Sequence, residues 1–198
     1  MKKMDGFEKR REQKKRDILN AALTLFMEYG IQKVSITEIA KKANVSQVTI
    51  YNYFESKDNL VRLVFKFYVD QIWDEQKLLL VNDLPFNEKI KKIMFEKGIA
   101  ANQMSERFFQ DFMKDYASGQ SYVEEVYQKE ALPLFIKLFN EGREQGYIDS
   151  EISDEAILFY LKMFQEYLQR EDVATMTLPI AEDLTKLFFY GIAGRIED

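Results

Sequence analysis

The stretch SITEIAKKANVSQVTIYNYFESK at residues 35–57 most constrains the fold, because it packs two short amphipathic helices and a tight turn into a span too small for a core of its own. Ser35 and Glu38 are three residues apart, which is the capping-box pattern of a helix start. Apolar residues then follow at i, i+3, i+4 and i+7, namely Ile36, Ile39, Ala40 and Ala43. This narrow stripe predicts a helix of about two turns that needs neighbours to be stable.

A second helix is predicted after a turn at Asn44, a residue type that readily adopts the left-handed conformation. Ser46 is its expected N-cap, and Ile50 and Phe54, four residues apart, are expected to face inward. The outer face then carries Gln47, Val48, Thr49, Tyr51, Asn52 and Tyr53, and all of these except Val48 offer amide, hydroxyl or phenol groups. Such groups suit the edges of bases and the phosphates of nucleic acid.

The whole chain is predicted to be all-α, with about nine helices. A first helix is indicated by the helical spacing of Ile18, Ala22, Leu25, Phe26 and Tyr29, and Gly30 is its expected stop. Later helices are predicted at 57–81, 86–102, 121–145, 154–171 and 178–195, with a short amphipathic helix around 108–116. Pro133 should bend the helix that contains it. We expect a three-helix domain at 1–56 and a helical domain at 57–198.

The net charge of −5 conceals a strong asymmetry along the chain. Residues 1–57 contain 12 Lys and Arg against 7 Asp and Glu, whereas residues 58–198 contain 16 against 26. The basic run KRREQKKR at 9–16 lies in the part with the two short helices, and its positive charges suit DNA phosphates, although a charge run is often only a solvated face. For residues 1–8, a frayed and solvated lead-in to the first helix is an equally good interpretation.

Several classes of function are disfavoured by what the sequence lacks. The chain contains no Cys and no His, so disulfides, thiolate nucleophiles, imidazole bases and nearly all transition-metal sites are excluded, and no cofactor is indicated. No Ser or Tyr lies in a recognisable nucleophile setting, which argues against an enzyme. The longest apolar runs are far shorter than the roughly 20 residues that span a bilayer. We therefore expect a cytoplasmic protein that does not enter a membrane.

The last two predicted helices are apolar around much of their circumference and need two partners each. One face can pack into the body, and the other is expected to pack against a second copy in an isologous four-helix interface, rather than serve as a central helix of a monomer. The candidate dimer residues are Phe164, Tyr167, Leu184, Phe188 and Ile192.

Aromatic and Met side chains in the body suit an apolar or flat ligand, although such stripes are often plain core. The candidates for lining a ligand cavity are Trp73, Phe95, Met104, Phe108, Phe112 and Tyr127.

The residues resemble the tetracycline-repressor-like (TetR) family of bacterial transcriptional regulators. The resemblance is close over residues 14–66, where EYG at 28–30, SITEIAKKANVS at 35–46 and QVTIYNYFESKDNL at 47–60 follow the family pattern. Beyond residue 66 it is architectural, with LPLF at 132–135 and EGREQGYID at 141–149. The resemblance implies that the helix after the turn lies in the major groove of DNA and that the protein acts in the bacterial cytoplasm.

Carried over by position, the resemblance assigns Gln47, Val48 and Thr49 to base contacts. It assigns phosphate contacts to Thr37, Tyr51, Tyr53 and Lys57, and Ser46 and Asn52 complete the candidate DNA-binding set. The chain departs from the family pattern in two places, since Asn44 replaces the usual turn Gly and Val48 replaces a frequent Gly. Val48 keeps the helix further from the groove floor.

The leading hypothesis is a homodimeric repressor that binds a palindromic operator in double-stranded DNA and is released by a small hydrophobic effector. One alternative is a helical scaffold or protein-partner-regulated module without a small-molecule ligand. Another is a DNA-binding protein without a preferred site, whose affinity would fall steeply with salt.

Overall fold

The computed structural model describes residues 6–93, 105–117, 122–168, 170, 173, 176 and 178–193. Within these ranges the regular structure is helical throughout, with no β-strand, so the predicted all-α fold class is confirmed. The helices in these ranges are either too short or too polar to cross a lipid bilayer.

The helices lie close to their predicted positions. In chain order they are α1 (Gly6–Tyr29), α2 (Ile36–Lys42), α3 (Gln47–Phe54), α4 (Lys57–Val81), α5 (residues 86–93 described), α6 (Glu106–Ala117), α7 (Tyr122–Val126), α8 (Leu132–Glu144), α9 (Asp154–Leu168) and α10 (Ala181–Ala193). A 3₁₀ turn at Ile31–Lys33 follows α1, and another at Leu178–Ile180 precedes α10. The predicted helix at 178–195 therefore begins as a 3₁₀ turn.

The chain forms two compact units, residues 1–70 and residues 71–198. The division falls inside α4, whereas the domain boundary predicted from the sequence, between residues 56 and 57, coincides with the start of α4. That boundary stays a prediction of where two functions separate.

In the first unit, α1 contacts α2, and α2 contacts α3. The side chains that face inward are almost fully buried, with Ile18, Ile39, Phe54 and Val64 at 0 % exposure and Ile50 at 1 %. Helices of seven and eight residues are too short to be stable alone in water. Burial of these side chains therefore holds α2 and α3.

The turn between α2 and α3 has the predicted geometry. Asn44 has φ 52°, in the left-handed region, and the Val45 N–H donates to the Ala40 carbonyl at 3.0 Å. Ser46 caps α3 as expected, accepting from the Thr49 N–H at 3.0 Å. The helix-turn-helix arrangement therefore follows from residues that the sequence displays.

Helix α1 extends further toward the N-terminus than its apolar pattern predicts. It begins at Gly6, about three turns before Ile18, so the basic run at 9–16 is helical. Lys, Arg, Glu and Gln are good helix formers, and the Gln13 side chain donates to the Asp17 carboxylate at 2.8 Å. At the other end, Tyr29 remains 48 % exposed although it belongs to the apolar pattern.

The second unit is built around a cluster of buried apolar side chains contributed by α4, α5, α8, α9, α10 and the segment between α8 and α9. Its members are Leu79, Leu80, Phe86, Ile90, Ile93, Leu138, Phe139, Ile148, Ile157 and Phe189. Helix α8 comes close to this cluster at Gly142, where an added Cβ would lie 2.9 Å from atoms of Phe86 and Ile148. A small residue is therefore required there.

A buried ion pair crosses this core. The Lys89 ammonium, 3 % exposed, lies 2.6 Å from the Glu141 carboxylate and donates to the Leu80 carbonyl at 3.1 Å. A buried charge is tolerated only when it is paired and hydrogen-bonded. These contacts join the end of α4, α5 and α8 at one point.

The helix that was predicted to bend at Pro133 contains a π-helical segment just before that residue. Helices α7 and α8 are joined without a break by π-helical residues Tyr127–Ala131, and Pro133 lies in the first turn of α8. Proline lacks the N–H that an α-helical ladder requires and crowds the preceding turn. The wider π turn accommodates both effects, and it places Glu130 where its carboxylate accepts from Trp73 Nε1 and Lys77 Nζ, each at 2.9 Å.

The capping box at α2 generates a prediction about stability. The Glu38 carboxylate accepts from the Ser35 N–H and hydroxyl at 2.7 Å each, and the Glu38 N–H donates back to Ser35 Oγ at 3.2 Å. The hydrogen bond from the Ser35 backbone, followed by that from its hydroxyl, lowers the pKa of Glu38. Its contribution is therefore present above the ordinary pKa and lost as pH falls through the lowered one.

We expect Ser35→Ala to lower the free energy of unfolding by about 1 kcal/mol at neutral pH, the usual cost of losing an N-cap. The deficit should shrink as pH falls through the lowered pKa of Glu38, because Glu38 is protonated in both proteins below that value. Urea unfolding followed by circular dichroism at several pH values measures this difference. A deficit that is constant from neutral to acidic pH would contradict the role given to Glu38.

Candidate nucleic-acid interface

One face of α3 is fixed and the other is left open. Ile50 and Phe54 are 1 % and 0 % exposed, and the Ser46 hydroxyl bonds both the N–H of Thr49, at 3.0 Å, and its Oγ1, at 2.8 Å. Buried anchors and a cap together set the rotation and the start of the helix. The exposed residues of α3, namely Gln47, Val48, Tyr51 and Asn52, therefore lie on the side away from this core.

The three candidate base-reading residues occupy the first turn of α3. Gln47 is exposed, Val48 is 67 % exposed and Thr49 is half-buried. The methyl groups of Val48 are therefore accessible to a partner. The amide of Gln47 and the methyl groups of Val48 and Thr49 match the polar edges and thymine methyl groups of the major groove.

The candidate phosphate-contacting residues differ in how far they are held by the protein. Thr37 and Asn52 are exposed, and Tyr51 is 47 % exposed. Tyr53 is half-buried, with its ring centroid 6.2 Å from that of Phe54 and 5.9 Å from the guanidinium carbon of Arg11. Tyr51 is therefore the exposed phenol on this face, and Tyr53 is steadied by neighbours.

Lys57 is held by a contact that the sequence did not indicate. Its ammonium donates to the Ile31 carbonyl at 3.1 Å and thereby ties the start of α4 to the 3₁₀ turn after α1. An ammonium carries three donors, so one such bond leaves donors for a phosphate. The assignment of Lys57 to a phosphate contact stays a prediction.

Two further features of this region were missed by sequence reasoning. Glu55 ends α3 with φ 64°, a left-handed conformation that costs a side-chain-bearing residue free energy. Asn59 supports that end, since its Nδ2 donates to the Phe54 carbonyl at 2.9 Å. No local sequence pattern predicts a Glu in the left-handed conformation. Ser56, in contrast, is a recognisable N-cap residue, and its hydroxyl accepts a hydrogen bond from the Asn59 N–H at 3.1 Å.

Among the described residues, no group of three or more acidic side chains is arranged to hold a metal ion. The interface therefore consists of hydrogen-bonding, apolar and cationic side chains on α2, α3 and the start of α4.

The candidate ligand-lining residues have different surroundings. Phe108 is fully buried, and its ring stacks on that of Phe112, with centroids 6.5 Å apart. Trp73 and Tyr127 are half-buried, and Trp73 also packs against the main core of the second unit. Phe95 and Met104 lie outside the described residues.

The candidate dimer residues divide into two groups. Phe164 and Phe188 pack edge to face on each other at 6.1 Å and are half-buried, as is Leu184, whereas Tyr167 is 57 % exposed. The side chain of Ile192 lies outside the described part of the chain. Other apolar side chains of α9 and α10 are more exposed, namely Phe159 at 67 %, Met163 at 52 %, Leu187 at 66 % and Tyr190 at 44 %.

Residues 18–64 match the profile of the family described as bacterial regulatory proteins, tetR family. This range covers the last part of α1, all of α2 and α3, and the first turns of α4. It therefore coincides with the elements that form the candidate interface.

Curated relatives match over longer stretches. An uncharacterized helix-turn-helix transcriptional regulator of Bacillus subtilis, YhgD, is 28 % identical over 118 residues, which are 59 % of this chain and 60 % of that protein. The transcriptional repressor KstR2 of Rhodococcus jostii is 21 % identical over 54 % of this chain and 53 % of its own length. The chain thus spans a little over half of these relatives.

Solved structures share the fold over nearly the whole chain. A TetR transcription regulator from Haloarcula marismortui has a TM-score of 0.65 at 14 % identity and covers 91 % of this chain and 98 % of its own. The fatty acid degradation regulator FadR from Bacillus halodurans has a TM-score of 0.62 at 23 % identity, covering 99 % of both chains. At these identities the likeness concerns the fold alone.

Proposed function

We propose, from the premise that this chain belongs to the tetR family of DNA-binding transcriptional regulators, that it is a homodimeric repressor released from its operator by a small hydrophobic effector. It would act in the bacterial cytoplasm, with residues 1–56 reading DNA and residues 57–198 binding the effector and the second copy. One observation carries the DNA-reading role. The first turn of α3 exposes Gln47 and Val48 on a helix whose opposite side is fully anchored.

The chemistry of that turn supports sequence-specific reading. A Gln amide makes two hydrogen bonds to adenine, and the methyl groups of Val48 and Thr49 pack on thymine methyl groups. Tyr51, Tyr53, Thr37 and Lys57 would contact phosphates, which position the helix without carrying sequence information. The preferred half-site should therefore contain adenine and thymine opposite the start of α3.

Tyr51→Ala should weaken binding to the operator by about tenfold or more, because a hydrogen bond to a charged group contributes roughly 1.5–3 kcal/mol. Fluorescence anisotropy with short duplexes taken from around the protein's own gene, at moderate salt, measures this loss. The matched control is Tyr29→Ala, because Tyr29 is 48 % exposed against 47 % for Tyr51 and its hydroxyl is hydrogen-bonded to Glu28. No specific complex, or equal affinity for wild type and Tyr51→Ala, would reject the DNA-reading role.

Dimerisation is supported by apolar side chains that the second unit leaves uncovered. Phe159, Met163 and Tyr167 are spaced four apart on α9, and Leu187 and Tyr190 lie three apart on α10. Helices with such stripes most economically pack against the same stripes of a second copy. Two reading helices would then meet half-sites about 34–36 Å apart, or a multiple, on a palindromic operator.

Leu187→Asp should convert the dimer to a monomer and lower operator affinity by about tenfold or more, because it places a charge in the apolar interface. Sedimentation velocity across micromolar concentrations measures the assembly. Leu78→Asp is the matched control, since Leu78 is 71 % exposed on α4. The interface would be wrong if both variants remained dimers, or if the wild type were a monomer throughout.

An apolar effector is supported by the aromatic side chains of α6 and its surroundings. Phe108 is buried and stacked on Phe112, while Trp73 is tied through Glu130 to the π-helical segment that contains Tyr127. Phe95 and Met104 complete the proposed lining. The names of two similar proteins refer to fatty acid degradation and to ketosteroids, which fits an apolar effector here.

Trp73 provides a direct probe of effector binding because it is the only Trp in the chain. A bound effector should change Trp73 fluorescence and raise stability by about 2.7 kcal/mol at a concentration one hundred times its dissociation constant. It should also weaken the operator complex. If hydrophobic cations, acyl chains and flavonoid-like compounds change neither thermal stability nor operator affinity, the ligand-sensing role fails.

A further inference from the structure

The basic run at residues 9–16 is not explained by the contacts of α3, and its geometry sets it apart from a solvated tail. It belongs to α1, and Arg11 lies seven residues before Ile18, which is 0 % exposed. Seven residues are about two helical turns, so Arg11 projects from the face of α1 that is buried further along. Arg11 is exposed because it extends beyond the point where that core ends.

Arg11 is also directed to the candidate DNA surface. Its guanidinium carbon lies 5.9 Å from the centroid of the Tyr53 ring, and Tyr53 is on α3. A guanidinium stacked on an aromatic face keeps its N–H groups in its own plane, where they are suited to the paired oxygens of a phosphate. The stack therefore preorganises a phosphate-binding group at the C-terminal side of α3.

The positive charge of the first turns of α1 also favours DNA as the partner. Residues 6–15 contain five Lys and Arg against two Glu, although the chain as a whole is acidic. Lys14, exposed, and Lys15, half-buried, lie one turn beyond Arg11 on the same side of α1. A positive surface continuous with a DNA-reading helix is complementary to the backbone of the same duplex.

We propose that the first turns of α1 form a second contact with duplex DNA, in which Arg11, stacked on Tyr53, binds a backbone phosphate outside the bases read by α3. The proposal rests on the proposed function for its partner. It adds a contact that raises affinity for every sequence and leaves the choice among sequences to Gln47, Val48 and Thr49. Arg11 also holds the ring of Tyr53 in position, so that Tyr53 can contact a different phosphate.

The test is the dependence of DNA affinity on salt, because each phosphate contact releases counterions and contributes about 0.9 to the slope of log affinity against log salt concentration. Wild type, Arg11→Gln, Arg11→Lys and Arg16→Gln are compared by anisotropy on an operator duplex and on a duplex of scrambled sequence. Arg16 is the matched control, since it is exposed and, two residues before Ile18, lies on the opposite side of α1.

We expect Arg11→Gln to reduce the slope by about 0.9 for each head, hence roughly 1.8 for a dimer, equally on both duplexes. Arg11→Lys should keep the slope because it keeps the charge, and Arg16→Gln should leave it near the wild-type value. Thermal unfolding of each variant shows whether the fold is intact. A role confined to steadying Tyr53 would lower affinity without changing the slope, and that result would overturn the proposal.

The outcomes also separate this proposal from the function on which it rests. If wild type prefers its operator and Arg11→Gln has an unchanged slope, only the second contact fails. If wild type binds both duplexes alike and Arg11→Gln has a reduced slope, the sequence-specific regulator fails and the contact stands. If wild type binds neither duplex at low salt, both fail.

Discussion

The candidate nucleic-acid interface depends on the burial of a few side chains on α2 and α3. These helices have seven and eight residues, too few to persist alone, so Ile39, Ile50 and Phe54 must be covered for the helices to exist. Their burial also fixes the rotation of each helix about its axis. Because the inner positions are occupied by the core, Gln47, Val48 and Tyr51 have only the outside available. The spacing of the buried apolar residues therefore determines both the packing of α2 and α3 and which of their residues are exposed.

In the second unit, the ion pair between Lys89 and Glu141 lies beside the cluster of buried apolar side chains. Lys89 would be expensive to bury alone, and Glu141 and the Leu80 carbonyl offset that cost only in one arrangement of α4, α5 and α8. The contacts of the Glu130 carboxylate with Trp73 and Lys77 are about half exposed, so water screens them and they are weaker. The buried contacts of Lys89 lose much of their free energy when geometry changes, so they favour discrete arrangements over gradual deformation. The effector response proposed above would require discrete arrangements of this kind.

Local signals in the sequence predicted much of this structure because their causes are local. The capping box at Ser35, the left-handed Asn44, the cap at Ser46 and the bounds of α4 depend on residues within one or two turns. Features that depend on distant neighbours were not predictable. The Lys57 contact with Ile31 spans 26 residues, the Trp73 contact with Glu130 spans 57, and both join segments that carry no shared pattern.

The early start of α1 was missed for another reason, since a charged helix without an apolar stripe has no periodic signal. The candidate site was therefore predictable as a set of residues, while the contacts that hold Lys57 and Tyr53 were visible only in the structure.

The position of Val48 on α3 bears directly on the base preference proposed for this helix. Its side chain is 67 % exposed in the first turn of α3, between Gln47 and Thr49. The family pattern often has Gly there, and a Val side chain keeps the backbone further from the groove floor while presenting two methyl groups to it. In the proposed complex, apolar contact with a thymine methyl would compensate for the lost approach, whereas a cytosine at the same place has no methyl to contact. A single methyl contact discriminates weakly, so one head cannot select an operator by itself. In the proposed dimer, selectivity would rise because a second head repeats the contacts, which places the exposed stripes of α9 and α10 in the same functional argument as Val48.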